Sequence, residues 1–313
     1  MTRVGAVDCG TNSIRLLVAD VHDDQRLTEV SRQMQIVRLG QGIDATGRIA
    51  EDAMRRTLAA AEGYAALCQD AGCESVRFVA TSASRDAENS ADFMAGVRAA
   101  FGAFDVVPEV ITGEEEAALS FAGATGALRA EGAPGPYLVV DIGGGSTEIV
   151  RGTDAVEAAT SVDIGCVRMT ERHLHDDPPT EDQVWAALSD IVRAIDDASS
   201  RVDLSGVGTL VGLAGSVTTV TAHALGLDRY DPARIHGAEL PVADVLDACT
   251  DLLLMTRSRR RELPFMHEGR VDVIGAGALV WRSIVQRVAH DSGLTTVRTS
   301  ETDILDGIAL SQA

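Results

Sequence analysis

Two segments of the sequence combine an acidic residue with a turn of small residues that could bind phosphate. An apolar stretch at residues 4–8 ends in Asp8, and a second at residues 137–141 ends in Asp141. Each is followed by a glycine-containing turn and another apolar stretch, which is typical of a β-hairpin. Successive backbone N–H groups in such a turn form an anion site, and hydroxyl groups add donors. The predicted phosphate-binding residues of these turns are Gly10, Thr11, Asn12, Ser13, Gly143, Gly144, Gly145, Ser146 and Thr147.

A third candidate anion site follows the apolar residues 210–213. Gly215 and Ser216 open a stretch with the pattern of a helix, and a helix N-terminus attracts phosphate. Each candidate site also has a purely structural interpretation. The first two could be ordinary hairpins, and the third could be an ordinary strand-to-helix turn. The two hairpin segments resemble each other and open the two halves of the chain, which indicates duplicated domains.

Three acidic residues are candidates for catalysis and metal binding. Glu116 ends the acidic run at residues 114–116 and could deprotonate a water molecule. The run also has a structural explanation, because acidic residues in a first helical turn complement the helix dipole and Thr112 has capping-box spacing to Glu115. Asp141 and Glu148 could hold Mg²⁺ or Mn²⁺, which prefer oxygen ligands. Glu148 could instead be a solvent-facing strand residue.

Composition excludes several classes of chemistry. The formal net charge is −20, and all 27 basic residues are arginine. Without lysine the chain has no Walker A loop, no protein-kinase site and no Schiff-base lysine. The acidic charge disfavours nucleic acid and anionic membranes as partners. No apolar segment is long enough to cross a bilayer, and the five irregularly spaced cysteines indicate a reducing cytoplasm.

Strand-like and helix-like segments alternate, which predicts an α/β fold. Apolar spacing predicts a helix over residues 51–69, and Thr180 with Gln183 predicts the start of another helix. Strands are expected at residues 75–80, 106–111 and 210–213. A loop-like break at residues 130–136 places a domain boundary near residue 125, giving domains at 1–125 and 126–313.

The sequence resembles the exopolyphosphatase and guanosine pentaphosphate phosphohydrolase family, in its short actinobacterial form. This family belongs to the superfamily that includes acetate kinase, sugar kinases and actin. The likeness covers essentially the whole chain, and its most specific part combines residues 141–148 (Asp-Ile-Gly-Gly-Gly-Ser-Thr-Glu) with residues 113–117 (Gly-Glu-Glu-Glu-Ala). The other matching segments are residues 7–13, 80–89, 164–168, 212–216 and 302–310.

The resemblance implies two actin-like, ribonuclease H-like domains with mixed sheets and an active site in the interdomain cleft. It implies that Glu116 is the general base and that Asp141 and Glu148 position metal and water, with Asp8 as a further metal candidate. The turns after Asp8 and Asp141 match the family's two phosphate loops, and Arg85 matches an arginine near the bound phosphate chain. The final helix is expected to pack on the first domain. Longer members carry an additional helical domain beyond the matching residues.

The expected activity is release of terminal orthophosphate from inorganic polyphosphate by metal-assisted hydrolysis, in a cytoplasmic homodimer. Guanosine pentaphosphate is the alternative substrate, and a small-molecule kinase or a non-catalytic ligand-binding protein of the same superfamily are the rival classes. The basic run at residues 257–261 could guide a polyanion or be an ordinary solvated helix end. His173 and His175 are expected to lie in a surface loop.

Overall fold

The computed structural model describes residues 1–312, which divide into two compact units. The first unit comprises residues 1–123 and the chain from Ile304 onward, and the second comprises residues 124–303. The sequence-based division at residue 125 falls in the same helix as the observed one, Gly113–Ala130. None of the helices among the described residues is long and apolar enough to cross a membrane.

The first unit is built on a mixed five-stranded sheet of order β3-β2-β1-β4-β5. Strands β1, β2 and β3 pair antiparallel, whereas β4 and β5 run parallel to β1. Central β1 buries every residue from Val4 to Cys9, which explains the apolar residues that precede Asp8, while edge strand β3 is half exposed. The strands are β1 (Thr2–Cys9), β2 (Ser13–Val21), β3 (Leu27–Ile36), β4 (Ser75–Ala80) and β5 (Glu109–Val110).

The helices of the first half follow from apolar spacing and local caps. The predicted helix over residues 51–69 is confirmed as α2, whose buried face includes Ala53, Tyr64 and Cys68. The strand predicted over residues 106–111 is only two residues long, because Pro108 has no N–H to donate to the sheet. The helices are α1 (Ile43–Thr46), α2 (Glu51–Asp70), α3 (Ser82–Asp86), α4 (Ser90–Ala100) and α5 (Gly113–Ala130).

The second unit repeats this plan with a six-stranded mixed sheet of order β10-β11-β9-β6-β7-β8. Strands β6, β7 and β8 form an antiparallel meander, and β9 runs parallel to β6. Its strands are β6 (Tyr137–Ile142), β7 (Thr147–Gly152), β8 (Val156–Val162), β9 (Thr209–Leu213), β10 (Glu239–Pro241) and β11 (Thr296–Thr299). The predicted α/β class, with two actin-like mixed sheets, is confirmed.

The helices of the second unit bury an aliphatic core against its sheet. The predicted cap of α7 is confirmed, since the Thr180 hydroxyl accepts the amide of Gln183 at 3.4 Å. Trp281 of α12 is buried against Gly212, where an added Cβ would lie 2.8 Å from the indole ring. The helices are α6 (Cys166–His173), α7 (Glu181–Ser199), α8 (Ala214–Ala224), α9 (Pro232–Ile235), α10 (Val242–Leu254), α11 (Arg257–Arg261) and α12 (Ile274–Ser292).

The final helix, α13 (Ile304–Leu310), belongs to the first unit. Its buried residues join an apolar cluster with β1, β2 and β4. Gly307 lies against α5, where an added Cβ would be 2.0 Å from the carbonyl oxygen of Leu119. Asp306 accepts Arg32 of β3 at 2.8 Å. The chain therefore returns to its first sheet after completing the second.

Candidate active site

The first turn, residues 10–13, joins β1 to β2 with its carbonyl groups held by the protein. The amide of Gly10 donates to the carbonyl of Ser13 at 3.0 Å and closes the hairpin. The carbonyls of Thr11 and Asn12 accept amides from residues 37–40 at 2.9–3.1 Å. Since C=O and N–H point to opposite sides of a trans peptide, the N–H groups that follow these carbonyls are directed away from residues 37–40.

Two side chains of the first turn lack hydrogen-bond partners. Thr11 Oγ1 and Asn12 Oδ1 are buried and are unsatisfied within residues 1–312. A buried polar atom left without a partner costs about 1–3 kcal/mol, so native structures nearly always supply a protein group, water or ligand. Both atoms can therefore form a hydrogen bond to water or to a polar ligand at the first turn.

The second turn, residues 143–146, repeats this arrangement in the second unit. The amide of Gly143 donates to Ser146 at 3.0 Å, as Gly10 does to Ser13. The first turn of α6 supplies amides to the carbonyls of Gly143 and Gly144 at 2.9–3.1 Å. The carbonyl of Gly145 accepts the amide of Gly165 at 3.1 Å.

An arginine side chain completes the support of the second turn. The Arg168 Nε donates to the carbonyl of Gly145 at 2.7 Å. All three glycine carbonyls of the turn accept hydrogen bonds on one of its sides. The N–H groups of the same peptides, those of Gly144, Gly145 and Ser146, therefore point to the opposite side. Within residues 1–312, the amides of Gly144 and Gly145 donate to no acceptor. Three successive N–H groups of this kind form an anion site.

Gly165 explains how α6 comes so close to the second turn. A Cβ added at Gly165 would lie 2.3 Å from the carbonyl carbon and oxygen of Gly144 and 2.4 Å from the nitrogen of Gly145. Gly40 has a similar place in the first unit, where an added Cβ would lie 2.2 Å from Cγ2 of Thr11. Each turn thus has a glycine packed closely behind it.

The residues opposite each other across the two hairpins differ in charge. Asp8 pairs in register with Arg15, whose Nε and Nη2 donate to Asp8 Oδ2 at 2.9 and 2.7 Å. At the equivalent places of the second hairpin, Asp141 pairs in register with Glu148. Directly opposed residues of antiparallel strands share one face of the sheet, so two buried carboxyl groups lie together there. Ser161 of β8 donates to Glu148 Oε1 at 2.7 Å.

The two hairpins differ in whether their paired side chains could bind a metal ion. Two opposed carboxylates are a donor set that suits Mg²⁺, which takes one or two carboxylates together with substrate phosphates. Within residues 1–312, no group of three or more histidine, cysteine, aspartate or glutamate side chains is arranged to hold a metal ion. Because the Asp8 carboxylate already binds the Arg15 guanidinium, this geometry does not support Asp8 as a metal ligand. That role stays a prediction.

Glu116 lies in the first turn of α5 with only 8% of its surface exposed. The predicted cap is confirmed, because the amide of Glu115 donates to Thr112 Oγ1 at 3.2 Å. Burial raises the pKa of the Glu116 carboxyl, and the charge of Asp8 raises it further. The Arg85 guanidinium and a hydrogen bond from Thr81 act in the opposite direction. A carboxylate in this environment accepts a proton more readily than an exposed glutamate does.

Arg85 orients Glu116 from α3. Its Nη1 donates to Glu116 Oε2 at 2.7 Å and to the carbonyl of Ile111 at 3.0 Å. Its side chain keeps 22% of its surface exposed. The structure thus brings Asp8, the first turn, Arg85 and Glu116 together at the carboxyl ends of β1 and β4 in the first unit.

The third predicted element is confirmed as a strand and a helix, but without the expected turn, because α8 begins at Ala214 directly after β9 and Gly215 lies in its first turn. The guanidinium of Arg270 lies close to Gly215, where an added Cβ would be 2.7 Å from it. Arg270 donates to Thr219 Oγ1 at 3.1 Å and lies over the ring of Tyr230, 5.8 Å from its centroid. Arg270 could not be identified from the sequence, because nothing local connects it with a helix that begins at residue 214.

Thr147 and the basic run differ from expectation. The Thr147 hydroxyl is buried and donates to the carbonyl of Ile164 at 2.9 Å, so this side chain supports the hairpin and is not directed at a phosphate. Arg260 is only 3% exposed and donates to the carbonyls of Leu252, Leu253 and Val271 at 2.8–3.1 Å. Burial lowers its pKa to about 10. The run at residues 257–261 is therefore not a uniformly solvated helix end.

Comparison with known proteins identifies the family. A model of the Ppx/GppA phosphatase family matches residues 17–312. The chain belongs to the Ppx/GppA phosphatase family. The expected family resemblance is thereby confirmed, over nearly the whole chain.

Individual members of the Ppx/GppA family show how far the similarity extends. Exopolyphosphatase 2 of Mycobacterium tuberculosis is 50% identical over 318 residues, covering 100% of this chain and 99% of that protein. A crystal structure of an exopolyphosphatase-like protein has a TM-score of 0.95 at 43% identity, covering 100% of this chain and 98% of that one. The guanosine-5'-triphosphate,3'-diphosphate pyrophosphatase of Vibrio cholerae is 33% identical over 213 residues, covering 68% of this chain and 41% of that protein.

Proposed function

We propose that this protein is an exopolyphosphatase that releases terminal orthophosphate from inorganic polyphosphate. The observation that carries the proposal is the second turn, whose three glycine carbonyls are bound on one side while successive N–H groups face the other. A chain with a net charge of −20 and no lysine binds a polyanion through such local positive fields. The similarity to Exopolyphosphatase 2 over the full length supports polyphosphate as the substrate.

In the proposed reaction, Glu116 is the general base. Its carboxylate takes a proton from a water molecule that attacks the terminal phosphorus in line with the leaving phosphate oxygen. Arg85 holds Glu116 Oε2 and keeps this oxygen oriented. The bridging P–O bond breaks, and the electron pair remains on the shortened polyphosphate, so no covalent enzyme intermediate is required.

The two turns hold phosphate groups through backbone amides, and the hydroxyl groups of Ser13 and Ser146, at the ends of these turns, add donors. Gly215 and Ser216 add the N-terminus of α8, where Arg270 supplies a fixed positive charge. When Mg²⁺ or Mn²⁺ is bound, Asp141 and Glu148 would hold it, and it would neutralise charge on the phosphate oxygens. Chelation is expected to stop phosphate release, and added Mg²⁺ or Mn²⁺ to restore it.

The decisive experiment compares two glutamates of α5. Glu116→Gln should lower kcat for phosphate release by about 10²-fold or more, because general bases contribute roughly 10²–10⁴. Glu114→Gln is the matched control, since Glu114 is exposed on the same helical turn, and it should retain its activity. Near-parental turnover by the folded Glu116→Gln protein would remove this residue from the reaction.

Guanosine pentaphosphate is the second candidate substrate, supported by the similarity to the Vibrio cholerae enzyme. It also ends in a phosphoanhydride chain, so the same turns and base could act on it. Phosphate release from polyphosphates of several lengths and from guanosine pentaphosphate should be compared by kcat/KM in one assay. A higher kcat/KM for guanosine pentaphosphate at every polyphosphate length would reverse the assignment.

A further inference from the structure

Cys68 and Cys73 are brought together by the way α2 ends. Gly72 has a left-handed backbone with φ of 71°, and the amide of Cys73 donates to the carbonyl of Cys68 at 3.0 Å. This bond, from the second residue after the C-cap Ala71 to the last turn of the helix, characterises the Schellman motif. In that motif the side chains of these two positions contact each other, and here both are cysteines. Cys73 packs against the apolar cluster that contains Cys68.

The two thiols differ in their access to solvent. Cys68 is fully buried beside β1, where a Cβ added at Gly5 would lie 2.8 Å from Cys68 Sγ. Cys73 lies at the helix end and is partly exposed. A small reagent can therefore reach Cys73, while Cys68 contacts it from the inside.

A cation lies beside the accessible thiol. Arg3 of β1 donates through Nη1 to the carbonyl of Ala71 at 3.0 Å and through Nε to Asp20 at 2.8 Å. The hydrogen bond from Cys68 and the charge of Arg3 lower the pKa of Cys73, against the opposing effects of burial and Asp20. The thiolate is the nucleophilic form of cysteine, so this environment favours reaction at Cys73.

The remaining cysteines provide a contrast within the same chain. Cys9, Cys166 and Cys249 are buried, and burial raises the pKa of each thiol. They behave as small apolar core residues. Only the pair at the end of α2 combines access, a neighbouring cation and a second thiol within contact.

We propose that Cys68 and Cys73 form a peroxide-reactive site that closes to a disulfide. The Cys73 thiolate attacks one oxygen of hydrogen peroxide, the O–O bond breaks, and Cys73 sulfenic acid forms while the other oxygen leaves as hydroxide. The Cys68 sulfur then attacks the Cys73 sulfur, its proton and the departing hydroxyl group form water, and the S–S bond closes. Two thiols and one peroxide yield one disulfide and two waters, with two electrons passing from sulfur to oxygen.

The test treats the full-length protein with one equivalent of hydrogen peroxide. The number of titratable thiols should fall by two from the five free cysteines, and peptide mapping should find one intramolecular Cys68–Cys73 link. Cys68→Ala should instead accumulate sulfenic acid at Cys73, which dimedone traps. Arg3→Gln should slow the reaction severalfold. Cys249→Ala, which changes a buried core thiol, should leave the rate and the product unchanged.

Two results would overturn the proposal. One is oxidation spread over Cys9, Cys166 or Cys249 while Cys73 keeps its thiol. The other is a rate at Cys73 in the folded protein no higher than in a peptide of residues 66–76, since the fold would then contribute nothing. The wild-type reaction decides both points, so neither depends on whether a cysteine variant folds or on the proposed phosphatase activity.

Discussion

Replacing Gly165 by alanine tests whether the second turn must stay where α6 holds it. Gly165 has φ of −85° and ψ of 162°, which alanine adopts without strain. The effect of the change is therefore purely steric. The new methyl group would lie 2.3–2.4 Å from backbone atoms of Gly144 and Gly145, which cannot rotate away as a side chain could.

The size of the effect follows from this overlap. Carbon atoms pack at about 3.5–4.0 Å, so the turn and the start of α6 must separate by roughly 1 Å. Overpacking of this kind costs about 1–3 kcal/mol, which a domain stable by ~5–15 kcal/mol survives. A displacement of ~1 Å at a reacting group can cost about 10²-fold in rate. We therefore expect a folded protein whose kcat/KM for polyphosphate falls by about two orders of magnitude.

The assay is phosphate release from polyphosphate with saturating Mg²⁺, together with thermal unfolding of each variant. Gly126→Ala is the matched control, because Gly126 lies in α5 and an added Cβ meets no atom within 4 Å. Alanine in a helix interior is more stable than glycine by roughly 0.5–1 kcal/mol, so this control should gain stability and keep its activity. Near-parental kcat/KM in a folded Gly165→Ala protein would refute the role of the second turn in binding phosphate.

Two further predictions concern single charged side chains. The proposed general base must be ionised, so kcat/KM should fall as the pH drops through the Glu116 pKa, at a higher pH than the 4.5 of an ordinary glutamate. Arg85→Gln removes a cation that lowers this pKa and should move the acid limb to still higher pH; a shift to lower pH in the measured profile would contradict the assignment. Arg260→Met leaves three buried carbonyls without their donor and should lower the free energy of unfolding by about 3 kcal/mol or more in urea titrations. Arg259→Met removes a side chain that is 73% exposed and should change the free energy of unfolding little. Equal losses of stability in both variants would show that burial of Arg260 is not the cause.

Local features of the sequence predicted the elements that carry the candidate site. The apolar runs ending in Asp8 and Asp141 are confirmed as β1 and β6, and their short turns set the registers that oppose Asp8 to Arg15 and Asp141 to Glu148. Helix α2 and the cap at Thr180 were also predictable. These features depend on residues close together in the chain, where spacing and side-chain type determine the backbone.

The supports behind the turns could not be predicted in the same way. Gly165 and Arg168 hold a turn about twenty residues earlier in the chain only because β7 and β8 return the chain to it. Arg270 and Thr219 are 51 residues apart in the sequence, and no local pattern predicts the hydrogen bond between them. The sequence showed where glycines occur but not which neighbours require them.

The basic run at residues 257–261 shows most clearly the difference between what local sequence predicts and what depends on distant contacts. By composition its arginines are equivalent, and the sequence by itself indicated only a basic run that could guide a polyanion or lie at a solvated helix end, whereas the structure shows a separate short helix capped by Thr256. The tertiary structure decided that Arg260 is buried among the carbonyls that end α10, whereas Arg259 faces solvent. Helix formation is local because its hydrogen bonds span four residues, but burial depends on which distant segments pack against each face, and only the folded chain brings those segments together.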